Sequence, residues 1–484
     1  MKKMYNLIVI ALMLFPAITF SQAPAIAWTK LYHPVTFGMD VVAVANDGLQ
    51  LADGGYIALG TSYAVNAYLV RTNALGDTLW TKQIFNDFLS GKVITGTNIE
   101  LAGDGGFFIS GFGTNMTDAG VWLLKTDANG NLSWWKFQSY GGVDTVFLTT
   151  DLRVTPDGGV ILCGSYKSLL DYFNVFMMKF DQQGNYQWQK RFGNDFDEAE
   201  GFSIENAYGG GYIQMVGNNS AGIETLRLIK VNSLGVVEWD KDYPDVMTFD
   251  YGMVRQTLDN HYIITGEDDG DYFLMKITPD GDIVWLKNYG FAETEQEATS
   301  VDPTSDGGYV MTGMHSPAGT AILDIWVVKT DGSGNEEWSK EINLYEYNDR
   351  AVMIQQTADG GYILFGQSRI NPEALDNVLM IKLGPTGNIE ELSGNQGNLV
   401  LCQNQPNPVS SVTTIKYSTL VSQNIRLSVS NFTGREIMLL QDEYRVAGSY
   451  EKSVDMTNLP CGIYTIQLRA GSQFLVKKIL KVQD

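Results

Sequence analysis

The sequence predicts an all-β protein: a seven-bladed β-propeller whose N-terminal strand completes the last blade, followed by a small β-sandwich. Three observations predict it. A glycine-rich turn recurs seven times at a spacing of roughly 50 residues. A Trp-x-Lys signature follows six of those copies and appears once more, alone, ahead of the first. Beyond Asn404 the repeat stops and a different all-β pattern begins.

The repeat opens on a turn of the form Asp53-Gly54-Gly55-Tyr56, which returns at Asp104, Asp157, Gly209, Asp259, Asp306 and Asp359. Asp-Gly and Gly-Gly accept the positive φ that tight hairpins need. An apolar strand ending in Gly follows, as in Tyr309-Val310-Met311-Thr312-Gly313. After a variable connection, a third strand ends in a cation: Arg71, Lys125, Lys179, Lys230, Lys276, Lys329 or Lys382. A second turn carries Gly76 and its equivalents, and the fourth residue beyond is Trp80, Trp134, Trp188, Trp239, Trp285 or Trp338. The regular positions of the lysines and tryptophans argue for structure: lysines paired with turn acids or lying along tryptophan, tryptophans packed in the blades.

Glu391 takes the tryptophan position in the seventh copy, whereas Trp28-Thr29-Lys30 stands unmatched at the start. Ring closure accounts for both. A strand around Trp28 joins the sheet built from residues near 350–383, leaving no exposed edges between the chain ends.

Lys2 and Lys3, the apolar run Leu7–Phe15 and the small residues Thr19 and Ser21 read as a signal peptide over 1–21. No later run is long and apolar enough to predict a membrane span. Of three cysteines, Cys163 stands alone, while Cys402 and Cys461 fall together in the tail, free or paired. The net charge of −22 is uneven: residues 398–484 hold nine Lys and Arg against six Asp and Glu. The acidic body repels nucleic acid and anionic lipid and favours cations or cationic partners.

The tail carries Asn404-Gln405-Pro406-Asn407-Pro408, Asn431-Phe432-Thr433-Gly434-Arg435, Leu459-Pro460-Cys461-Gly462-Ile463-Tyr464 and Lys477-Lys478. It resembles the type A C-terminal sorting domain of the type IX secretion system of Bacteroidetes. That resemblance implies an Ig-like sandwich recognised by the secretion machinery, and a secreted or cell-surface destination. The organisation expected is a signal peptide at 1–21, a propeller at 22–392, a linker at 393–399 and a sorting domain at 400–484. The body resembles secreted propeller-like repeat proteins, which implies a fold and no activity.

Variable loops on a rigid ring are the usual place for recognition. Asp40, Asp144, Asp195, Asp245, Glu293 and Glu346 recur in the links between repeats and are candidates to line the channel mouth as ligand-binding carboxylates. Glu267, Asp269 and Asp271 form a second candidate cation loop. Carboxylates suit Ca²⁺ or Mg²⁺, and no other cofactor is implied. Catalytic motifs are thin: His33, His261 and His315 lie in different repeats, and no nucleophile elbow or zinc-ligand spacing appears. The expected function is a binding or interaction protein for an unidentified glycan or surface protein. The alternatives are a carbohydrate-active hydrolase or lyase using loop carboxylates, and a structural adhesion component.

Overall fold

The computed structural model describes residues 23–385 and 399–483 apart from short internal segments, the longest being 85–92. The predicted leader, most of the predicted linker, Cys402 and Cys461 lie outside the described residues. The chain divides into two compact units, Met1–Gly387 and Asn388–Asp484.

The first unit contains seven four-stranded antiparallel sheets. Blade 1 runs through Ala43–Gln50, Tyr56–Ser62, Ala67–Thr72 and Thr78–Ile84, and blades 2 to 6 repeat that order as far as Ile342. Blade 7 takes Asp349–Gln356, Tyr362–Ser368 and Asn377–Leu383, and its fourth strand is Ile26–Tyr32 from the other end of the chain. Trp28 lies opposite Lys382 and Tyr32 opposite Val378 in that closing pair. Each sheet is buried on both faces, so the third strands, such as Asn174–Phe180, are buried at every position. Seven apolar clusters fill the spaces between successive blades. The cluster joining Tyr56, Ala58 and Val70 of blade 1 to Ile363, Phe365 and Val378 of blade 7 completes the ring.

The second strands do not end at their glycines, as the sequence pattern suggested. In blade 2 the pair Phe107–Thr114 and Asp118–Thr126 runs well past Gly111. The glycine instead lies opposite a β-bulge in the first strand. Six first strands shift register at the same place, between Ala45 and Asp47, Gly96 and Asn98, Thr149 and Asp151, Gly201 and Ser203, Ala298 and Ser300, and Ala351 and Met353. The bulge pushes a carbonyl toward the partner strand. A Cβ on Gly111, Gly164, Gly313 or Gly366 would collide with the carbonyl of Thr95, Leu148, Glu297 or Arg350. The extra residue reaches the next blade: Thr97 Oγ1 meets Thr149 Oγ1 at 2.9 Å, and Thr299 Oγ1 donates to Ala351 O at 3.0 Å.

The repeated Trp and Lys residues latch neighbouring blades at the periphery. The rings of Trp28, Trp80, Trp134, Trp188, Trp239 and Trp285 each lie on the second-turn glycine of the next blade, from Gly76 to Gly334. The following lysine extends the latch, with Lys30 on Asp77 at 3.2 Å and Lys241 on Asp282 at 2.8 Å. The strand-end cations turn inward on the first-turn aspartates, as in Lys125–Asp104 at 2.8 Å and Lys179–Asp157 at 3.0 Å. Blade 4 has Gly209 at the aspartate position, and its Lys230 pairs with Glu238 instead.

The second unit is a two-sheet sandwich. Leu399–Leu401, Val412–Thr419 and Gly448–Asp455 form one sheet; Gln423–Asn431, Glu436–Arg445, Gly462–Ala470 and Gln473–Lys481 form the other. Ile415, Tyr417 and Val454 of the first meet Leu427, Val429, Ile466 and Leu468 of the second in one core.

Candidate functional site: the axial belt

The first strand of each blade lies nearest the axis, and its side chains alternate in environment. Ile99, Leu152, Ile204, Val254, Val301 and Ile354 are buried in the interblade cores. The next residue along each strand is Glu100, Arg153, Glu205, Arg255, Asp302 or Gln355, with Leu49 in blade 1. Two residues earlier, Asp47 and Asp151 add two more carboxyls. Seven charged side chains from six blades therefore form a belt in the middle of the ring.

Arg153 is its hub. Its Nη1 contacts Asp151 at 2.8 Å and Glu100 at 3.0 Å, and its Nε contacts Glu205 at 3.3 Å. Arg255 lies 3.8 Å from Glu205 and 3.9 Å from Asp151. The carboxylates also stitch blades together through backbone amides. Asp47 accepts from Ile99 N at 3.0 Å, Asp151 from Ile204 N at 3.0 Å, and Asp302 from Gln356 N at 2.8 Å. At the closing seam, Gln355 Oε1 accepts from Gln50 N at 2.9 Å and Gln50 Oε1 from Ala358 N at 2.8 Å.

Two guanidiniums face five carboxyls, and burial governs the protonation of the surplus. Burial pushes Glu100 up to about 7, against the pull of Arg153, with Asp47 raising it further. Burial likewise lifts Asp47 and Asp302 to about 6. Burial works against the charge of Arg153, but Asp151, Glu100, Glu205 and Asp47 together raise its pKa above the ordinary arginine value. Burial and then repulsion from Arg153 lower that of Arg255. Chemically the belt is a self-paired ionic network that holds protons near neutrality.

Of the link acids, two fall within the described residues. Asp40 closes the two-residue strand Met39–Asp40, opposite Val35. Asp245 is exposed in a turn between blades 4 and 5. Asp144, Asp195, Glu293 and Glu346 lie outside the described residues. In blade 5, Asp268 pairs with Asp271 across a two-residue turn, Asp269 has φ 52°, and Glu267 pairs with Tyr272. Among the described residues no three His, Cys, Asp or Glu side chains converge as a metal site. Sequence reasoning missed the axial belt, although a signal was present: in blades 2 to 6 the residue four positions before the first-turn aspartate, or before Gly209 in blade 4, is charged.

The other reactive groups are dispersed. Cys163 is buried and burial pushes its thiol well above the usual range. His315 is buried 3.7 Å from Glu341, while His261 neighbours Asp259 at 3.5 Å. A cleft of about 610 Å³ opens between the outer strands of blades 7 and 1, lined by Tyr32, His33, Tyr68, Thr81 and Lys82 among others. No helix among the described residues is long and apolar enough to cross a membrane.

Residues 405–482 match the secretion system C-terminal sorting domain family. No curated protein matches the chain. Among solved structures, the chain is similar to a Penicillium chrysogenum alpha-L-arabinanase complexed with arabinobiose, with 10% identity and a TM-score of 0.42 over 75% of this chain and 98% of that one. It is also similar to the Neurospora crassa Pan2 WD40 domain, with 12% identity and a TM-score of 0.36 over 66% and 85%. A protein of unknown function from Dyadobacter fermentans shows 11% identity and a TM-score of 0.40 over 59% and 93%. These likenesses carry no functional argument.

Proposed function

Because the chain is a secreted or cell-surface β-propeller protein with a C-terminal sorting domain, we propose that it acts outside the cell as a binding protein rather than a catalyst. The observation that supports this reading is the pairing of the axial charges with one another. The belt's carboxylates accept from arginines and from backbone amides of neighbouring blades, which suits holding the ring rigid. A rigid ring presents its connections in fixed positions.

The contact surface is the face bearing the links and the connections between second and third strands. These connections are uneven in length. Blade 5 turns in two residues after Asp268, whereas blade 6 resumes at Asp324 after His315 and blade 7 at Asn377 after Ser368. The blade 7 connection is braced by Arg369 on Asp376 at 2.9 Å. The recognition surface therefore centres on blades 6 and 7, and its partner is a glycan or a protein of the cell envelope.

The test is a glycan array carrying bacterial envelope and plant polysaccharides, probed with the purified protein and read for retention and released product. Retention without product supports binding. Release of sugar overturns it, and the absence of both moves the reading to a structural role.

A further inference from the structure

The seam that closes the ring holds a second candidate site, on the outer wall. It is the cleft of about 610 Å³ between Ile26–Tyr32 of blade 7 and Thr78–Ile84, the outer strand of blade 1. That volume falls within the ~300–1,000 Å³ of small-ligand sites. One wall runs from Leu31 to Pro34, and the other is built from Tyr68, Thr78 and the stretch Thr81 to Gln83.

The floor is aromatic and the rim polar. Tyr32 and Tyr68 are buried. Tyr32 Oη donates to Gly76 O at 2.6 Å, and Tyr68 Oη to His33 O at 3.3 Å. Burial pushes Tyr68 up to about 12, so its hydroxyl keeps the proton near neutral pH. Gln83 lies opposite Tyr68 in the strand ladder, and His33, Thr78 and Thr81 are exposed at the edges.

The repeat itself shows what fills such a place. Tyr32-His33-Pro34 correspond to Tyr289-Gly290-Phe291 in blade 5. Tyr289 Oη donates to Gly334 O at 2.6 Å, as Tyr32 Oη does to Gly76 O. Tyr68 corresponds to Trp326, since each follows the residue paired with the last isoleucine of its outer strand, Ala67 with Ile84 and Ile325 with Ile342. Between blades 5 and 6 the Phe291 ring lies 4.8 Å from that of Trp326. At the closing seam Pro34 carries no such ring, and the cleft opens beside Tyr68.

Charge narrows the choice of occupant. Among the described residues no Asp or Glu lines the cleft, so a cation meets no counter-charge there. Its one lysine, Lys82, directs Nζ to Asn131 of blade 2 at 3.1 Å. An anion would approach a chain with 55 Asp and Glu against 33 Lys and Arg. A neutral ring with apolar faces and hydroxyl edges matches both sets of lining groups. Its faces meet the tyrosines, Leu31 and Pro34, and its hydroxyls meet the threonines and the Gln83 amide. We propose that the closing-seam cleft binds a neutral pyranose unit of a polysaccharide. This rests on the reading of the chain as a binding protein and adds a site apart from the surface centred on blades 6 and 7.

The test titrates maltotetraose, cellotetraose, mannotetraose and galactotetraose into the purified protein by isothermal calorimetry, with tetragalacturonate as the acidic control. At least one neutral sugar is expected to bind, and tetragalacturonate more weakly. Pro34→Phe installs the ring that the blade 5–6 seam carries, and is expected to weaken that sugar by about tenfold or more. Gln83→Ala is expected to weaken it by about three- to tenfold. Thr81→Trp blocks the cleft from the opposite wall should Pro34→Phe fold poorly. Binding of none of the neutral sugars, tighter binding of tetragalacturonate, or full affinity in a folded blocking variant overturns the proposal. Glycan retained equally by wild type and blocking variant on the array removes the cleft and leaves the binding reading standing. Retention of no glycan by the wild type removes both.

Discussion

Replacing Arg153 with methionine tests the axial belt most directly. The guanidinium touches Asp151, Glu100 and Glu205 within 3.3 Å. Methionine keeps much of the volume and removes the charge. Removing one partner of a buried ion network costs about 3–5 kcal/mol, because the remaining charges stay buried without compensation. The loss depends on pH in a defined direction. Glu100 titrates at about 7 and Asp47 at about 6 in the folded chain, against ordinary values of 4.5 and 3.8. Carboxyls raised by folding contribute stability that is present below about pH 4 and is lost as pH climbs through the folded values. At pH 5 these two already hold protons, so the variant forfeits chiefly its contacts with Asp151 and Glu205. At pH 8 Glu100 and Asp47 have lost those protons and add their charge around the missing cation. Melting curves should therefore show a larger deficit at pH 8 than at pH 5. Lys82→Met, which removes a 3.1 Å contact with Asn131 at the exposed periphery, should change stability by less than about 0.5 kcal/mol. Equal Arg153→Met deficits at both pH values, or a deficit below about 1 kcal/mol, would refute the electrostatic account.

The remaining predictions concern closure, turns, the thiol and export. Trp28 is partly buried against Tyr56 with ring centroids 5.6 Å apart, so Trp28→Ala should cost about 2–3 kcal/mol, somewhat less than a fully buried tryptophan; limited proteolysis should then cut first at the N-terminal strand. Gly184 has φ 73° beneath the Trp134 ring, and Gly184→Ala should lose about 2 kcal/mol or more in a denaturant titration, whereas Gly103→Ala, with open space at its Cβ, should be close to neutral. Cys163 should resist a thiol reagent in the native protein and react after unfolding, since it is fully buried. Deleting 400–484 should leave the propeller inside the cell in fractionation assays, because the sorting domain matched at 405–482 is lost.

The repeat made the architecture legible because its marks are steric necessities. Gly184 and its equivalents take positive φ under a tryptophan ring, a position open to few other residues. Trp28 stood out in the sequence since it belongs to a sheet completed from the far end of the chain. The second-strand glycines were misleading: Gly111 looks like a strand end, yet it accommodates a bulge in the neighbouring strand, and bulges leave no local sequence mark of their own. The axial belt was hidden for another reason. Glu100, Arg153 and Glu205 come from different repeats, and their convergence depends on the ring's curvature, which no local pattern states. Link acids such as Asp245 drew attention instead because loop residues are ordinarily accessible, and Asp245 lies exposed in a turn.

The belt also shows how the number of blades constrains charge placement. Neighbours of opposite sign can alternate around a ring only when its members are even in number. Here the order Glu100, Arg153, Glu205, Arg255, Asp302 alternates through blades 2 to 6. The two positions left over, Gln355 in blade 7 and Leu49 in blade 1, are uncharged. They are adjacent, and they meet at the seam where the two chain regions close the ring. A carboxylate at either position would sit beside a like charge, Asp302 or Glu100. Neutral amides take over instead, with Gln355 and Gln50 accepting backbone N–H groups across the seam. The break in alternation thus falls where closure needs hydrogen bonds rather than net charge.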